Sequence, residues 1–253
     1  ALLLLPMWRG DLSFVSRLGL SIFHSVSAFC NAGLALQSDS LVSYRYALGV
    51  HLVLLVLVVI GGLGFPVIWE LARFAIGRLR GVEVTQELLA APSRRLSLHS
   101  KLVLTTTLIL YIGGTLVLIA TQLKPSFDRA LQQGQTPNQT HQQGINASRM
   151  GCIIADASFT SLSARTAGFN TLPMDQIEPA GRFAVIMLML VGASPGGSGG
   201  GMKTTTIALV VLAIVATIRQ RHDVTAFGRR VHGTLIRVAG TLAACVLGLV
   251  CLS

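Results

Sequence analysis

The chain has 253 residues, of which 52% are hydrophobic and only 12% charged, with a formal charge of +10. A soluble domain of this length buries a core easily but needs more charge to cover it, so this balance excludes an ordinary soluble enzyme or binding module and reads as an integral membrane protein. The placement of the positive charge, taken up below, argues against a nucleic-acid partner.

In chain order, Ala1 to Leu5 form an apolar stub too short to cross a bilayer. They lack the basic segment and small-residue cleavage site of a processed signal peptide. The chain starts without methionine and stops within an apolar run, so it is expected to be part of a longer protein. Four segments reach the roughly 20 apolar residues that a bilayer core demands: 47–71, 102–123, 183–218 and 235–252. Two of them carry glycine clusters in mid-span.

Basic residues gather in two places. Arg73, Arg78, Arg80, Arg94, Arg95 and Lys101 fall between the first and second spans, and Arg219, Arg221, Arg229, Arg230 and Arg237 around the gap between the third and fourth. Lysine and arginine accumulate on the cytoplasmic side, so both segments are assigned inside, with contact to anionic lipid or a cytosolic partner as a further reading. Residues 6–46 and 124–182 are then outside, and they hold Asp11, Asp39, Asp128, Asp156, Asp175 and Glu178. The polar stretch 132–148 reads as a flexible outer loop. Its acceptor triplets for N-glycosylation at Asn138 and Asn146 are of a kind that arises by chance. Cys30, Cys152, Cys245 and Cys251 show no metal-ligand spacing and read as small apolar residues.

The informative feature is an internal repeat. FHSVSAFCNAGLAL at 23–36 matches FTSLSARTAGFNTL at 159–172: Phe23, Ser25, Ser27 and Ala28 pair with Phe159, Ser161, Ser163 and Ala164 at an offset of 136, and Ala32 and Gly33 with Ala167 and Gly168 at 135. Gly61 and Gly62 stand at the same offset of 135 from Gly196 and Gly197. Chance likeness between small-residue stretches does not account for a motif and a glycine interruption that share one offset. Each copy has a short amphipathic segment, 16–29 or 151–164, then a small-residue turn, then a true span. That is the pattern of a re-entrant helix and loop. Irregular backbone at membrane depth is tolerated only where it is buried in protein or lines a water-filled path. Loops such as Asn31-Ala32-Gly33 and Thr166-Ala167-Gly168 let backbone carbonyls replace the hydration shell of a potassium ion, and the preceding helix directs its negative end toward the same place.

At these residues the chain becomes recognisable. SVSAFCNAGL, RTAGFNTL, IGGLGFPV and GASPGGSGGGMKTT closely resemble the Ktr/Trk/HKT superfamily of potassium transporters, above all the membrane subunit of bacterial Ktr and Trk systems. The resemblance implies an all-α, multi-pass fold of four pseudo-repeats around one pathway, each an outer helix, a re-entrant pore helix with its filter loop, and an inner helix. It divides the chain into 1–80 (the second repeat from the end of its outer helix), a cytoplasmic linker at 81–101, the third repeat at 102–220, and a cytoplasmic turn with the start of the fourth at 221–253. Gly33 and Gly168 resemble the central filter glycines. Asn31, Ala32 and Leu34, and Thr166, Ala167 and Phe169, are their filter neighbours, so that potassium would sit at backbone carbonyls.

The resemblance also gives GASPGGSGGGMKT a role, as the small-residue loop that breaks the third repeat's inner helix and gates the path. Its residues are Gly192, Ser194, Pro195, Gly196, Gly197, Ser198, Gly199, Gly200, Gly201 and Lys203. Proline and clustered glycines do not continue a stable helix. A phosphate-binding loop requires GxxxxGK[ST], and here Met202 separates Gly201 from Lys203, with membrane spans on both sides. Lys203, an ionisable group at membrane depth, is read as facing water or carbonyls in the pathway, with snorkelling or local pairing as the alternative. Arg165 would repel a cation if it faced one, so it is expected to turn sideways into carbonyls or an acid, with Asp156 as candidate partner.

The resulting expectation is a potassium translocation subunit, not an enzyme, in a bacterial inner membrane, with sodium as a coupled ion to be considered and no covalently bound cofactor. The resemblance further implies a homodimer of the full-length subunit and a cytosolic nucleotide-binding regulatory ring, the nucleotide site being on that partner. The competing classes are a carrier for another solute and a membrane scaffold whose glycines only permit close helix packing.

Overall fold

The structure is a computed structural model, and it describes residues 1–8, 13–45, 47–80, 96–132, 147–174, 177–220 and 224–252, without the side chains at 77–80, 122–132, 147–150, 152, 247 and 249–252. Arg94, Arg95, Arg221, Asp11, Asp175, Asn138, Asn146 and most of the expected linker lie outside these residues.

Eight α-helices are found among the described residues: α1 (Phe14–Phe29), α2 (Leu48–Leu63), α3 (Phe65–Arg80), α4 (Leu98–Gln132), α5 (Ala147–Ser163), α6 (Pro179–Met189), α7 (Thr204–Ile218) and α8 (Gly233–Leu252). Short 3-10 turns cover Leu2–Met7 and Val42–Tyr44. The chain divides into two units, Ala1–Gly62 with Ile109–Leu190, and Leu63–Leu108 with Val191–Ser253.

In the first unit, α1 has 16 residues and α5 has 17. At 1.5 Å per residue each rises about 25 Å, short of the roughly 30 Å hydrocarbon core. Ser13 caps α1, its hydroxyl accepting from the Ser16 N–H at 3.2 Å. The buried cluster gathers Leu4, Trp8, Leu41 and Tyr44 with Val50, Leu54 and Val58 of α2, Phe159 and Leu162 of α5, and Ala167 and Phe169 beyond it. Trp8 ties the N-terminal turn in place, donating from Nε1 to the Ser21 hydroxyl at 2.8 Å and stacking edge-on against Tyr44. Small residues permit the closest approaches. A side chain at Gly114 of α4 would collide with the Ser161 hydroxyl of α5, and one at Gly181 of α6 would lie 2.8 Å from Ile177 Cγ2. In lipid, where apolar burial supplies no drive between helices, such packing supplies the attraction. Many apolar side chains face outward, among them Phe14, Val15, Leu52, Ile109, Leu116 and Phe183.

In the second unit, α7 and α8 pack side by side, and Leu102, Ala208 and Ala226 form a small core. The expected cytoplasmic turn after α7 contains a two-stranded hairpin, Thr225–Ala226 with Arg229–Arg230. Its two central residues, Phe227 and Gly228, have φ of +51° and +75°, the signature of a type I′ turn whose twist suits a two-residue connection. Glu70 of α3 clamps the start of α4, its carboxylate accepting from the Ser97 N–H and the hydroxyls of Ser97 and Ser100.

The first span differs from the sequence-based expectation of one continuous crossing. Among the described residues, Leu98–Thr121 alone is long and apolar enough to cross a membrane as one helix; Leu48–Leu63 with Phe65–Ile76 passes only as a broken pair. The break falls at Gly64, whose φ is +83°. The segment 183–218 carries the break expected of its glycine-rich loop. It is interrupted between Met189 and Thr204, since the glycines of that stretch do not hold a helix.

Candidate functional site

The turns that follow α1 and α5 are built alike. Asn31 and Gly33 have φ of +51° and +67°, and Thr166 and Gly168 have +74° and +82°. Between them Ala32 and Ala167 keep ordinary backbone. The left-handed region costs an L-residue about 1–2 kcal/mol, most for a branched one such as Thr166, so both turns are held by their surroundings. The Ala32 N–H donates to the Ser27 carbonyl at 2.9 Å and the Ala167 N–H to the Ser163 carbonyl at 3.0 Å. Side chains add a second tie, the Ser27 hydroxyl donating to the Leu34 carbonyl at 2.8 Å and the Ser163 hydroxyl to the Phe169 carbonyl at 2.6 Å.

The two turns meet. A Cβ built on Gly33 would lie 2.6 Å from both the Ala167 oxygen and Gly168 Cα, and one on Gly168 would lie 3.0 Å from Gly33 Cα. Glycine is therefore required at this contact for space as well as for φ. Behind the first turn, a side chain at Gly61 of α2 would collide with the Phe29 carbonyl. Beyond the turns, Asn170 is clipped at both backbone groups: its carbonyl accepts from the Leu41 N–H at 3.0 Å and its N–H donates to the Ser40 hydroxyl at 3.2 Å. Asp39 shapes that corner, and hydrogen bonds from the Ser43 hydroxyl and N–H hold its carboxyl below the usual carboxylate range.

Asp156, the candidate partner of Arg165, pairs with Arg45 instead. Asp156, 1% exposed, accepts from Arg45 Nε at 2.7 Å, and its Oδ1 has no hydrogen bond. Arg45 enters just ahead of α2, a position from which the sequence shows no periodic relation to Asp156, whereas Arg165 is only nine positions away and invites the local pairing. Arg165 is itself buried. Arg45 and Ser40 were not legible as site residues; Ser27 and Ser163 stood in the repeat, and only their hydrogen bonds reveal what they hold.

In the second unit the loop between α6 and α7 folds back on itself. The Gly192 N–H donates to the Met202 carbonyl at 2.9 Å, the Ala193 N–H to the Gly200 carbonyl at 3.2 Å, and the Gly197 N–H to the Ser194 carbonyl at 3.0 Å. Thr204 Oγ1 donates to the buried Ser194 hydroxyl at 3.0 Å. Lys203 stands at the N-cap of α7 and donates from Nζ to the Gly199 carbonyl at 2.8 Å, so the ammonium is satisfied by a carbonyl of its own loop. Gly196, with φ of +76°, lies against the helix break: its carbonyl accepts from the Phe65 N–H at 3.2 Å, and a Cβ on Gly64 would lie 2.6 Å from the Pro195 oxygen. Pro195, Ser198 and Gly201 complete the loop. No cluster of three or more metal-ligating side chains occurs among the described residues.

Comparison with known proteins identifies relatives of the chain as a whole. Over 238 residues the chain is 29% identical to the potassium/sodium uptake protein NtpJ of Enterococcus hirae, covering 92% of this chain and 46% of that protein. It is 31% identical over 226 residues to the Ktr system potassium uptake protein B of Vibrio alginolyticus, covering 89% and 43%. The chain thus spans less than half the length of these relatives. The crystal structure of the potassium transporter TrkH from Vibrio parahaemolyticus shares the fold, with a TM-score of 0.57 at 16% identity, over 91% of this chain and 47% of that one. Residues 7–250 match the family described as TrkH: Cation transport protein, and the chain belongs to that family of membrane transporters.

Proposed function

We propose that this chain supplies two of the loops of a potassium-selective path in a bacterial inner membrane, and that the 192–203 loop gates it. The carrying observation is the pair of matched turns, Asn31–Gly33 and Thr166–Gly168, which share φ signs and serine ties and meet at their glycines. Left-handed residues alternating with ordinary ones align successive peptide planes, with N–H groups to one side and carbonyls to the other. Both turns lie at helix C-termini, where the backbone carries partial negative charge. Carbonyls so arranged offer a dehydrated potassium ion what water offered it. The ion-facing residues are Asn31, Ala32 and Gly33 with Thr166, Ala167 and Gly168.

The full-length subunit works as a cation transporter and not as an enzyme, and the name of the Enterococcus relative makes sodium a second cation to test. A homodimer and a cytosolic nucleotide-binding ring complete the proposed assembly, with Arg219, Arg229 and Arg230 as exposed inner contacts. The test is expression of the full-length protein in a strain lacking its own potassium uptake. Growth at low potassium together with rubidium uptake is expected. Rescue by no alkali cation, with the protein present in the membrane, overturns the reading.

A further inference from the structure

We infer that Ser27 and Ser163 are positioning residues of the ion path: their hydroxyls turn the carbonyls of Leu34 and Phe169 away from the ion and so end the row of ion-facing oxygens at Gly33 and Gly168. The inference rests on the proposed potassium path. Three observations carry it. Each serine is buried in the last turns of its helix. Each donates to the carbonyl of the residue that follows the turn's glycine, at 2.8 Å and 2.6 Å. Each contact occurs although the spacing differs, seven residues from Ser27 to Leu34 and six from Ser163 to Phe169.

The third observation argues most. The repeat contains a one-residue gap between serine and glycine, and the structure absorbs it locally. α1 runs two residues past Ser27, to Phe29, whereas α5 ends at Ser163 itself. The Ser163 carbonyl accepts from both the Ala167 and Gly168 N–H groups, at 3.0 Å and 3.1 Å, whereas the Ser27 carbonyl takes the Ala32 N–H across five residues. Two different backbone routes thus converge on one side-chain contact. A hydroxyl that merely satisfied itself would donate to the nearest helix carbonyl, four residues back, as Ser21 does to that of Arg17. Instead both serines reach forward to the turn. A carbonyl oxygen within hydrogen-bond reach of its own helix is directed there, which anchors its peptide plane. The glycine carbonyl lies in the preceding plane, joined to it through φ and ψ of Leu34 or Phe169, so anchoring one plane restrains the other. Loss of the hydroxyl frees that plane to rotate, and a row of oxygens with adjustable spacing discriminates less between cations of different radius.

The experiment uses the full-length protein in proteoliposomes, reading rubidium uptake against competing sodium. Ser163→Ala, Ser27→Ala and the double variant are compared with Ser163→Thr and Ser27→Thr, which keep the hydroxyl. Ser163→Cys and Ser27→Cys keep the volume with a poor donor, and carry the test where the alanine variants do not assemble. One neutral hydrogen bond is worth about 1 kcal/mol, so each loss of a donor is expected to lower the rubidium-to-sodium preference by about fivefold, with the threonine variants close to wild type. An unchanged preference in the cysteine and alanine variants, in a protein that still takes up rubidium selectively, overturns the serine assignment and leaves the potassium path standing. A wild-type protein that moves no alkali cation overturns both.

Discussion

Gly33 and Gly168, 135 residues apart in sequence, meet without room for a methyl group between them. A Cβ on Gly33 would lie 2.6 Å from Gly168 Cα, and one on Gly168 would lie 3.0 Å from Gly33 Cα. The contact is asymmetric, and so is its consequence. Both positions hold positive φ and each alanine costs about 1–2 kcal/mol on that account, but only the Gly33 side chain would press into two backbone groups at once. Gly33→Ala is expected to lower the melting temperature of the detergent-solubilised full-length protein more than Gly168→Ala does. Equal melting of the two variants would contradict the packing described.

Asp156 is buried beside Arg45, whose side chain is 29% exposed. Removing the arginine strands a carboxylate away from water, a loss of about 3–5 kcal/mol when a buried pair is broken from one side. Removing the acid leaves a cation that still reaches solvent. Arg45→Ala is therefore expected to melt well below Asp156→Asn, and Arg45→Ala with Asp156→Asn to recover part of the loss. Thermal denaturation of the three variants checks the order.

Glu70 anchors the beginning of α4 through Ser97 and Ser100, adding a negative charge where the helix carries its positive end. Glu70→Gln keeps the shape and removes the charge. A loss of about 1 kcal/mol is expected, read as roughly fivefold faster hydrogen exchange at the amides of residues 97–101. Unchanged exchange there would show that the clamp contributes nothing.

The loop at 192–203 is held by its own backbone bonds and by the Lys203 ammonium on Gly199. If it gates the path, deleting residues 196–201 should raise rubidium flux in the full-length protein several-fold and leave the rubidium-to-sodium preference unaltered. A deletion that abolishes flux while the protein remains in the membrane counts against a gate.

The helices, the glycine interruptions and the two turns were legible because each rests on local chemistry. Apolar length marks helices, clustered glycine breaks them, and a motif repeated at a fixed offset exposes the turns. The exact place of the break was harder to see, since Gly61, Gly62 and Gly64 all stand in one apolar run and α2 continues through the first two. The Phe65 bond to the Gly196 carbonyl that accompanies it crosses more than a hundred residues. Arg45 was invisible for the same reason: its partner is 111 positions away, and neither periodicity nor composition links them. Lys203 was readable as a cation at membrane depth facing water or carbonyls, but which carbonyl took it depended on how the loop folds back.

The most direct test of the filter assignment is rubidium and potassium uptake by the full-length protein carrying Gly168→Ser, in cells lacking their own potassium uptake. Serine at φ of +82° strains the turn and disturbs the carbonyls on both sides of it. A marked loss of potassium affinity, with relatively better passage of sodium, is the predicted result. Potassium affinity and preference equal to wild type would contradict the assignment of Gly168 to the ion path.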